Sequence, residues 1–289
     1  MFSIQIPFLH LEHMYKSNQV FNWIKIADNK FLILSEDEAV KVSELKNDRF
    51  VFDCTEEEFF SYWFNYFDLE NDYSRMNWIL KNLDGEIKIA ANRFKGIRII
   101  KQPIFESLIF SSIKSIFSIE KSRQIIDNLK RSCGKKHSKS FRESGKINWF
   151  DFPSAKEILE KEFFLDNRLL MHQKDKIIEI SKDVIDGWFD IEYLKSLDYH
   201  ETIDYLTSFD YLNEWSANFI CLCCLGFLNS FLYDNHFSNF IKKCNMDFEE
   251  FKTWYLYDDE VKSCLGLLSQ YVWSNEVYPA KSLEKWMKE

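Results

Sequence analysis

Glycine and proline are scarce in this chain of 289 residues, numbering seven and four. Both punctuate turns, glycine by tolerating positive φ and proline by removing a backbone donor. Their scarcity excludes a turn-dense all-β or collagen-like chain and favours helices. Seven cysteines are present, three of them (Cys221, Cys223, Cys224) in one apolar run, and no further cysteine pair stands at metal-ligand spacing. That argues against a structural zinc or an iron–sulfur loop and for reduced, core-filling thiols. No long hydrophobic run exists either. The longest, Phe219 to Phe227, is about half a membrane span, and the Met1-Phe2-Ser3-Ile4-Gln5-Ile6-Pro7 start has no basic leader pattern. We expect a cytoplasmic monomer with no membrane span, no metal and no cofactor.

A general excess of positive charge is also missing, since the net charge is −9. The distribution is uneven. Residues 91–142 carry 13 Lys and Arg against Glu106, Glu120 and Asp127, which leaves about −19 for the remainder. One basic segment on an acidic body suits salt-sensitive contact with a phosphate backbone, and it suits a solvated helical face with a basic loop at Lys135 to Lys139 equally well.

What is abundant is apolar and aromatic material: 46% hydrophobic, 17% aromatic, 28 Phe. This is enough for a dense core. Short runs at 31–34, 39–42 and 49–52, separated by polar clusters, predict antiparallel strands, with a helix at 15–23. Thr55 with Glu58 forms a capping-box signature ahead of the aromatic run 59–67. After Pro103 the spacing of apolar residues predicts an almost wholly helical chain, with helices at 104–115, 119–133, 154–161, 175–187, 191–196, 199–209, 213–227, 234–244, 247–255 and 260–272. The expected fold class is α+β: an N-terminal antiparallel sheet domain over residues 1–100, then a mostly α-helical domain over 101–289.

Chemistry concentrates in Glu214-Trp215-Ser216-Ala217-Asn218-Phe219 and, nineteen residues beyond Trp215, Asp234. This stretch resembles the active-site segment of the helix-hairpin-helix DNA glycosylases. Their 8-oxoguanine branch has a nucleophilic lysine at the position of Trp215. Their alkylpurine branch has a tryptophan there, in a run similar to Trp-Thr-Ala-Asn, and keeps the aspartate. Further segments resemble the 8-oxoguanine DNA glycosylase family along most of the chain. Ser17-Asn18-Gln19-Val20-Phe21-Asn22-Trp23 is similar to Cys-Gly-Gln-Cys-Phe-Arg-Trp, and Asp53 to Leu69 to the Cys-Thr-x-Glu to Tyr-Phe-Asp-Leu segment. Lys95 to Ile109 is similar to Gly-Ile-Arg-Ile-Leu-Arg-Gln-Asp-x-x-Glu-x-Leu-Ile, and Leu225 to Asp234 to Leu-Gly-Lys-x-Asp-Ala-Phe-Pro-Val-Asp.

The resemblance implies a degenerate helix-hairpin-helix at about 199–227 and double-stranded DNA with a damaged base as the partner. It makes Asp234 the catalytic carboxylate, and Trp215, Asn18 and Phe21 the base pocket. Tyr211, Leu212, Asn213, Ile116 and Phe117 become the DNA-contacting residues. The departures set the chemistry. With Trp215 in the lysine's place no Schiff base forms there, so the implied route is attack by water assisted by Asp234. The hairpin Pro-Gly-Val-Gly-x-Lys is Asp210-Tyr211-Leu212-Asn213-Glu214-Trp215 here, without glycines to bring amides close to a phosphate. The asparagines that read the opposite cytosine fall at Ile116-Phe117-Ser118, and the glycine that recognises 8-oxoguanine becomes Asn18. The expected enzyme is a monofunctional DNA N-glycosylase for a base other than 8-oxoguanine. A non-cutting binder of the same fold and an N-glycosidase for a free nucleoside or nucleotide are the alternatives.

Overall fold

The computed structural model describes residues 1–277 apart from 18, 37, 84 and 166–172, and leaves the side chains of 163 and 164 undescribed. Five N-terminal strands form an antiparallel sheet. They are β1 (Phe2–Gln5), β2 (Trp23–Ala27), β3 (Lys30–Ser35), β4 (Glu38–Glu44) and β5 (Arg49–Phe52), in the order β1-β5-β4-β3-β2. The chain divides into two compact units, one of residues 1–20, 42–100 and 227–289 and one of 21–41 and 101–226, so the cut falls inside β4. The expected helix at 15–23 is corrected. Helix α1 spans Leu11–Lys16, and Trp23 opens β2, because antiparallel pairing of Trp23 with Ile33 and Ile24 with Leu32 wins over the weak helical periodicity of this stretch.

In the first unit β1 pairs with β5 in the register Phe2↔Phe52 to Gln5↔Arg49. The expected capping box is present: the Thr55 hydroxyl accepts from the Glu58 N–H at 3.1 Å, and the Glu58 carboxylate accepts from the Thr55 N–H at 2.6 Å. Helices α2 (Tyr73–Asn82) and α3 (Gly85–Arg93) follow. Buried Arg98 then ties the unit together. Its guanidinium donates to the carbonyls of Phe67 (3.0 Å), Asp68 (2.8 Å) and Pro7 (3.1 Å) and lies 4.0 Å from the Tyr73 ring centroid. Buried Gln19 bridges two of the family-like segments, donating to the Arg98 carbonyl at 2.7 Å and accepting from the Ile100 N–H at 3.0 Å. Gly96 is required where it stands: with φ +95°, a Cβ there would sit 2.7 Å from the Cβ of His10.

The second unit holds β2 and β3, then α4 (Ile104–Lys114) and α5 (Ile119–Cys133), both close to the helices expected from the periodicity. The basic segment after α5 is not a loop. It forms a hairpin of β6 (Lys136–Phe141) and β7 (Gly145–Phe150), paired Lys136↔Phe150 to Phe141↔Gly145. Phe141 joins Ile26, Leu32 and Leu34 in a buried cluster against which Ile147 and Trp149 pack, and this apolar face overrides the polar composition. Helices α6 (Ala155–Glu160), α7 (Lys174–Ile185), α8 (Ile191–Ser196), α9 (Tyr199–Thr207) and α10 (Glu214–Ile220) complete the unit. A π-helical turn, Cys221–Leu225, extends α10 and ends at Gly226 with φ 87°. Burial pushes the thiols of Cys221 and Cys224 up to about 12, so they fill space as neutral groups.

Back in the first unit, α11 (Asn235–Lys243) and α12 (Leu265–Val277) lie near the carboxyl end. The single helix expected at 260–272 is two, Asp259–Lys262 and α12, with Ser263 and Cys264 between them.

Candidate active site

Helices α9 and α10 and the turn between them fall within the stretch 199–227. Asp198 caps α9 through a box with Glu201, and Asn213 caps α10 by accepting from the Ser216 N–H at 2.9 Å. The Tyr199 hydroxyl donates to Asn218 Oδ1 at 2.6 Å and links the two helices. Three of the expected DNA-contacting residues lie in the turn. Tyr211 and Leu212 are only 5% and 4% exposed, so their side chains serve the core. The Tyr211 hydroxyl donates to Asp183 at 2.6 Å, which, with burial as the larger cause, raises its pKa. Asn213 is the exposed member of the three. Ile116 and Phe117 close the carboxyl end of α4, their N–H groups both donating to the Ile113 carbonyl at 3.1 Å, and Ile116 is 56% exposed.

Trp215 and Phe21 are brought together by the rings between them. Half-buried Trp215 stacks on Phe219 at 5.5 Å between centroids and 18° between planes. Phe219 meets Phe110 at 5.4 Å, and Phe110 stacks on Phe21 at 4.8 Å and 16°. Phe21 continues to Phe152 at 6.2 Å. The series arises from two four-residue spacings, Trp215 with Phe219 on α10 and Phe110 with Lys114 on α4, each placing its pair on one helix face. The Lys114 ammonium lies 5.2 Å from the Trp215 ring centroid. Reading the sequence for motifs missed Lys114, although its spacing from Phe110 was the available signal.

A second arrangement, also missed, underlies this face. Buried Glu106 accepts a short hydrogen bond from the Asn22 amide, whose oxygen accepts from the Lys130 ammonium at 2.9 Å. Burial pushes the Glu106 carboxyl up to about 7 against the opposing pull of Lys130, and burial pulls Lys130 down. Glu106 also borders a cavity of about 710 Å³ whose walls include Phe105, Phe152, Lys135, His137 and Asp151. Part of its polar lining is paired within the wall, with His137 Nε2 against Asp151 and the Glu157 carboxylate capping α6.

Asp234 lies in the first unit as the N-cap of α11, half-buried, accepting from the Phe237 N–H at 3.0 Å. Asn18 lies outside the described residues. Among the described residues no group of His, Cys, Asp and Glu is placed to hold a metal ion, and no helix is long and apolar enough to cross a membrane.

Residues 2–108 match the family described as 8-oxoguanine DNA glycosylase, N-terminal domain. Over 215 residues the chain is 25% identical to the DNA-3-methyladenine glycosylase of Bacillus subtilis (strain 168), covering 73% of this chain and 66% of that protein, just under two thirds of its length. Among solved structures, MBOgg1 in complex with a low affinity DNA ligand superposes with a TM-score of 0.82 at 22% identity, over 95% of this chain and 94% of the other. The apo 8-oxoguanine glycosylase/lyase of Clostridium acetobutylicum superposes with a TM-score of 0.77 at 21% identity, over 93% of each. In fold, and in sequence over its N-terminal residues, the chain is similar to DNA glycosylases of the 8-oxoguanine and 3-methyladenine kinds.

Proposed function

We propose that this protein is a monofunctional DNA N-glycosylase that excises a modified base other than 8-oxoguanine from duplex DNA. The observation that carries the reading is Trp215, half-buried and at one end of a ring series reaching Phe21, where the 8-oxoguanine branch holds its attacking lysine. A flat apolar surface receives a flipped base by stacking, while no primary amine at that position is available to form a Schiff base. Asp234 acts as the carboxylate that orients water and offsets the positive charge developing on the sugar, a charge present only near the transition state. On the DNA side, Asn213 and Ile116 offer exposed side chains, Ile116 as an apolar wedge. Tyr211 and Leu212 act through the core of the hairpin.

The alkylpurine enzyme from Bacillus subtilis and the alkylpurine-like Trp-Ser-Ala-Asn run both favour an alkylated or otherwise modified base. The test is incubation with duplexes carrying alkylated, deaminated and bulky base lesions. Release of free base with abasic sites and no strand cleavage is the expected result. Lesion-dependent nicking would overturn the monofunctional assignment, and no base release from any duplex would overturn the activity.

A further inference from the structure

The hairpin of β6 and β7 sorts its residues by face. The paired positions His137↔Trp149, Lys139↔Ile147 and Phe141↔Gly145 supply the side that packs on the Ile26, Leu32 and Leu34 cluster. The other side is formed by Lys136↔Phe150, Ser138↔Asn148 and Ser140↔Lys146, and all of it is exposed except the half-buried Phe150. The turn adds exposed Arg142. Residues 135–150 hold five Lys and Arg and one carboxylate, Glu143, in a chain whose net charge is −9. That carboxylate is engaged by the Lys30 ammonium at 2.9 Å.

The ribbon is also held in place at both ends. Glu143 and Lys30 tether the turn. At the base the Asp151 N–H donates to the Lys135 carbonyl at 3.0 Å, and Gly134 lies so close that an added Cβ would fall 2.1 Å from the Asp151 carbonyl oxygen. An isolated two-stranded hairpin is marginal in water, so this packing is what gives the exposed face a fixed shape. Lysines at its two margins flank small hydroxyl and amide side chains, the combination that meets phosphate oxygens, and a two-stranded ribbon has the width to follow a duplex groove.

We propose that the exposed face of the β6–β7 ribbon is a DNA-contact surface, with Lys136, Arg142 and Lys146 meeting phosphates and Ser138, Ser140 and Asn148 supplying neutral hydrogen bonds. The proposal rests on the glycosylase reading for its choice of duplex DNA as partner. Contacts of this kind position the protein on DNA independently of sequence and leave recognition of the base to the pocket.

The experiment measures affinity for an undamaged duplex against KCl concentration, for the wild type and the triple variant Lys136→Gln, Arg142→Gln, Lys146→Gln. Each lost phosphate contact lowers the slope of log affinity against log salt by about 0.9, so the triple variant is expected to lose roughly 2.7 from that slope while its melting temperature stays unchanged. A control triple, Lys156→Gln, Lys182→Gln, Lys195→Gln, removes three exposed lysines of the same unit. An unchanged slope in the ribbon variant, or an equal drop in the control, overturns the proposal. So does a drop seen for single-stranded RNA and not for duplex DNA. Ribbon-dependent, salt-sensitive DNA binding by a protein that releases no base would sink the enzymatic reading and uphold the ribbon. Base release with an unchanged slope would do the reverse.

Discussion

The Lys114 ammonium stands over the Trp215 indole, 5.2 Å from its ring centroid. An electron-rich ring that already faces one cation is poorly disposed to a second. If Trp215 lines the base pocket, a neutral modified base is expected to stack better than a cationic one, which would meet the Lys114 ammonium. Lys114→Met keeps the length of the side chain and removes the charge. We expect it to raise excision of 7-methylguanine relative to a neutral lesion by about two- to thirtyfold, the range set by a cation–π energy of roughly 0.5–2 kcal/mol. An unchanged ratio in competition assays would show that Lys114 has no part in selection.

Asp234 is at once a helix cap and the proposed catalytic carboxylate, and the two roles separate in one substitution. Asn caps as well as Asp, so Asp234→Asn should change stability by less than about 1 kcal/mol. Base release should be lost. Full activity in the variant, with denaturation curves superimposed, would reduce Asp234 to its bond with the Phe237 N–H.

Trp215→Lys restores the residue typical of the lysine-using branch, and half-buried Trp215 leaves room for a polar head. With Lys114 nearby, the introduced amine experiences like charge, which lowers its pKa and enlarges its nucleophilic fraction. We expect borohydride trapping on an abasic or poorly stacked substrate and no gain of 8-oxoguanine excision, since the resemblance sets Ile116 and Phe117 at the positions of the cytosine-reading asparagines and Asn18 at that of the glycine that recognises 8-oxoguanine. Efficient 8-oxoguanine removal by this variant would refute that account of the lost specificity.

Glu106 makes stability depend on pH in a stated direction. Its folded carboxyl titrates at about 7, above the ordinary carboxylate range, because burial disfavours the charged form. The folded state then holds a proton that the unfolded state releases, so its stabilising share is complete below the unfolded pKa and is lost as pH rises through 7. Glu106→Gln mimics the protonated group. The melting temperature of the wild type should fall relative to the variant between pH 5 and pH 8, and a constant difference would show Glu106 to be ionised throughout.

Tyr211→Phe tests the inward placement of the hairpin turn. Loss of the 2.6 Å bond to Asp183 should cost about 1–3 kcal/mol, read by chemical denaturation. Duplex affinity at matched folded fraction should be unchanged, and a selective drop in affinity would place the phenol at the DNA after all.

Much of the fold was legible because its signals are local. The Thr55–Glu58 box, the limits of α5 and the hairpin of α9 and α10 follow from capping residues and three- and four-residue spacing within a single segment. What was not legible depends on partners distant in sequence. The segment from Lys136 to Phe150 reads as a basic loop until Phe141 and Trp149 are seen against Ile26, Leu32 and Leu34. Likewise Trp215 and Phe21 can each be named from a motif, but their connection through Phe110 and Phe219 is a matter of packing. Lys114 carries no motif at all, and only the neighbouring helix gives it a role.

Division of the chain inside β4 has a consequence for synthesis on the ribosome. The unit containing Trp215 and the ribbon has all of its residues once Gly226 has been made, whereas the unit containing Asp234 began with Met1 and still lacks everything from Phe227 onward. Its helices α2 and α3 must wait for α12, where Asn77 meets the Tyr271 hydroxyl and Arg93 meets Asn275 across 194 and 182 residues of sequence. Vectorial folding therefore reaches the ring series before Asp234, and α2 and α3 are the segments left longest without their partner helix.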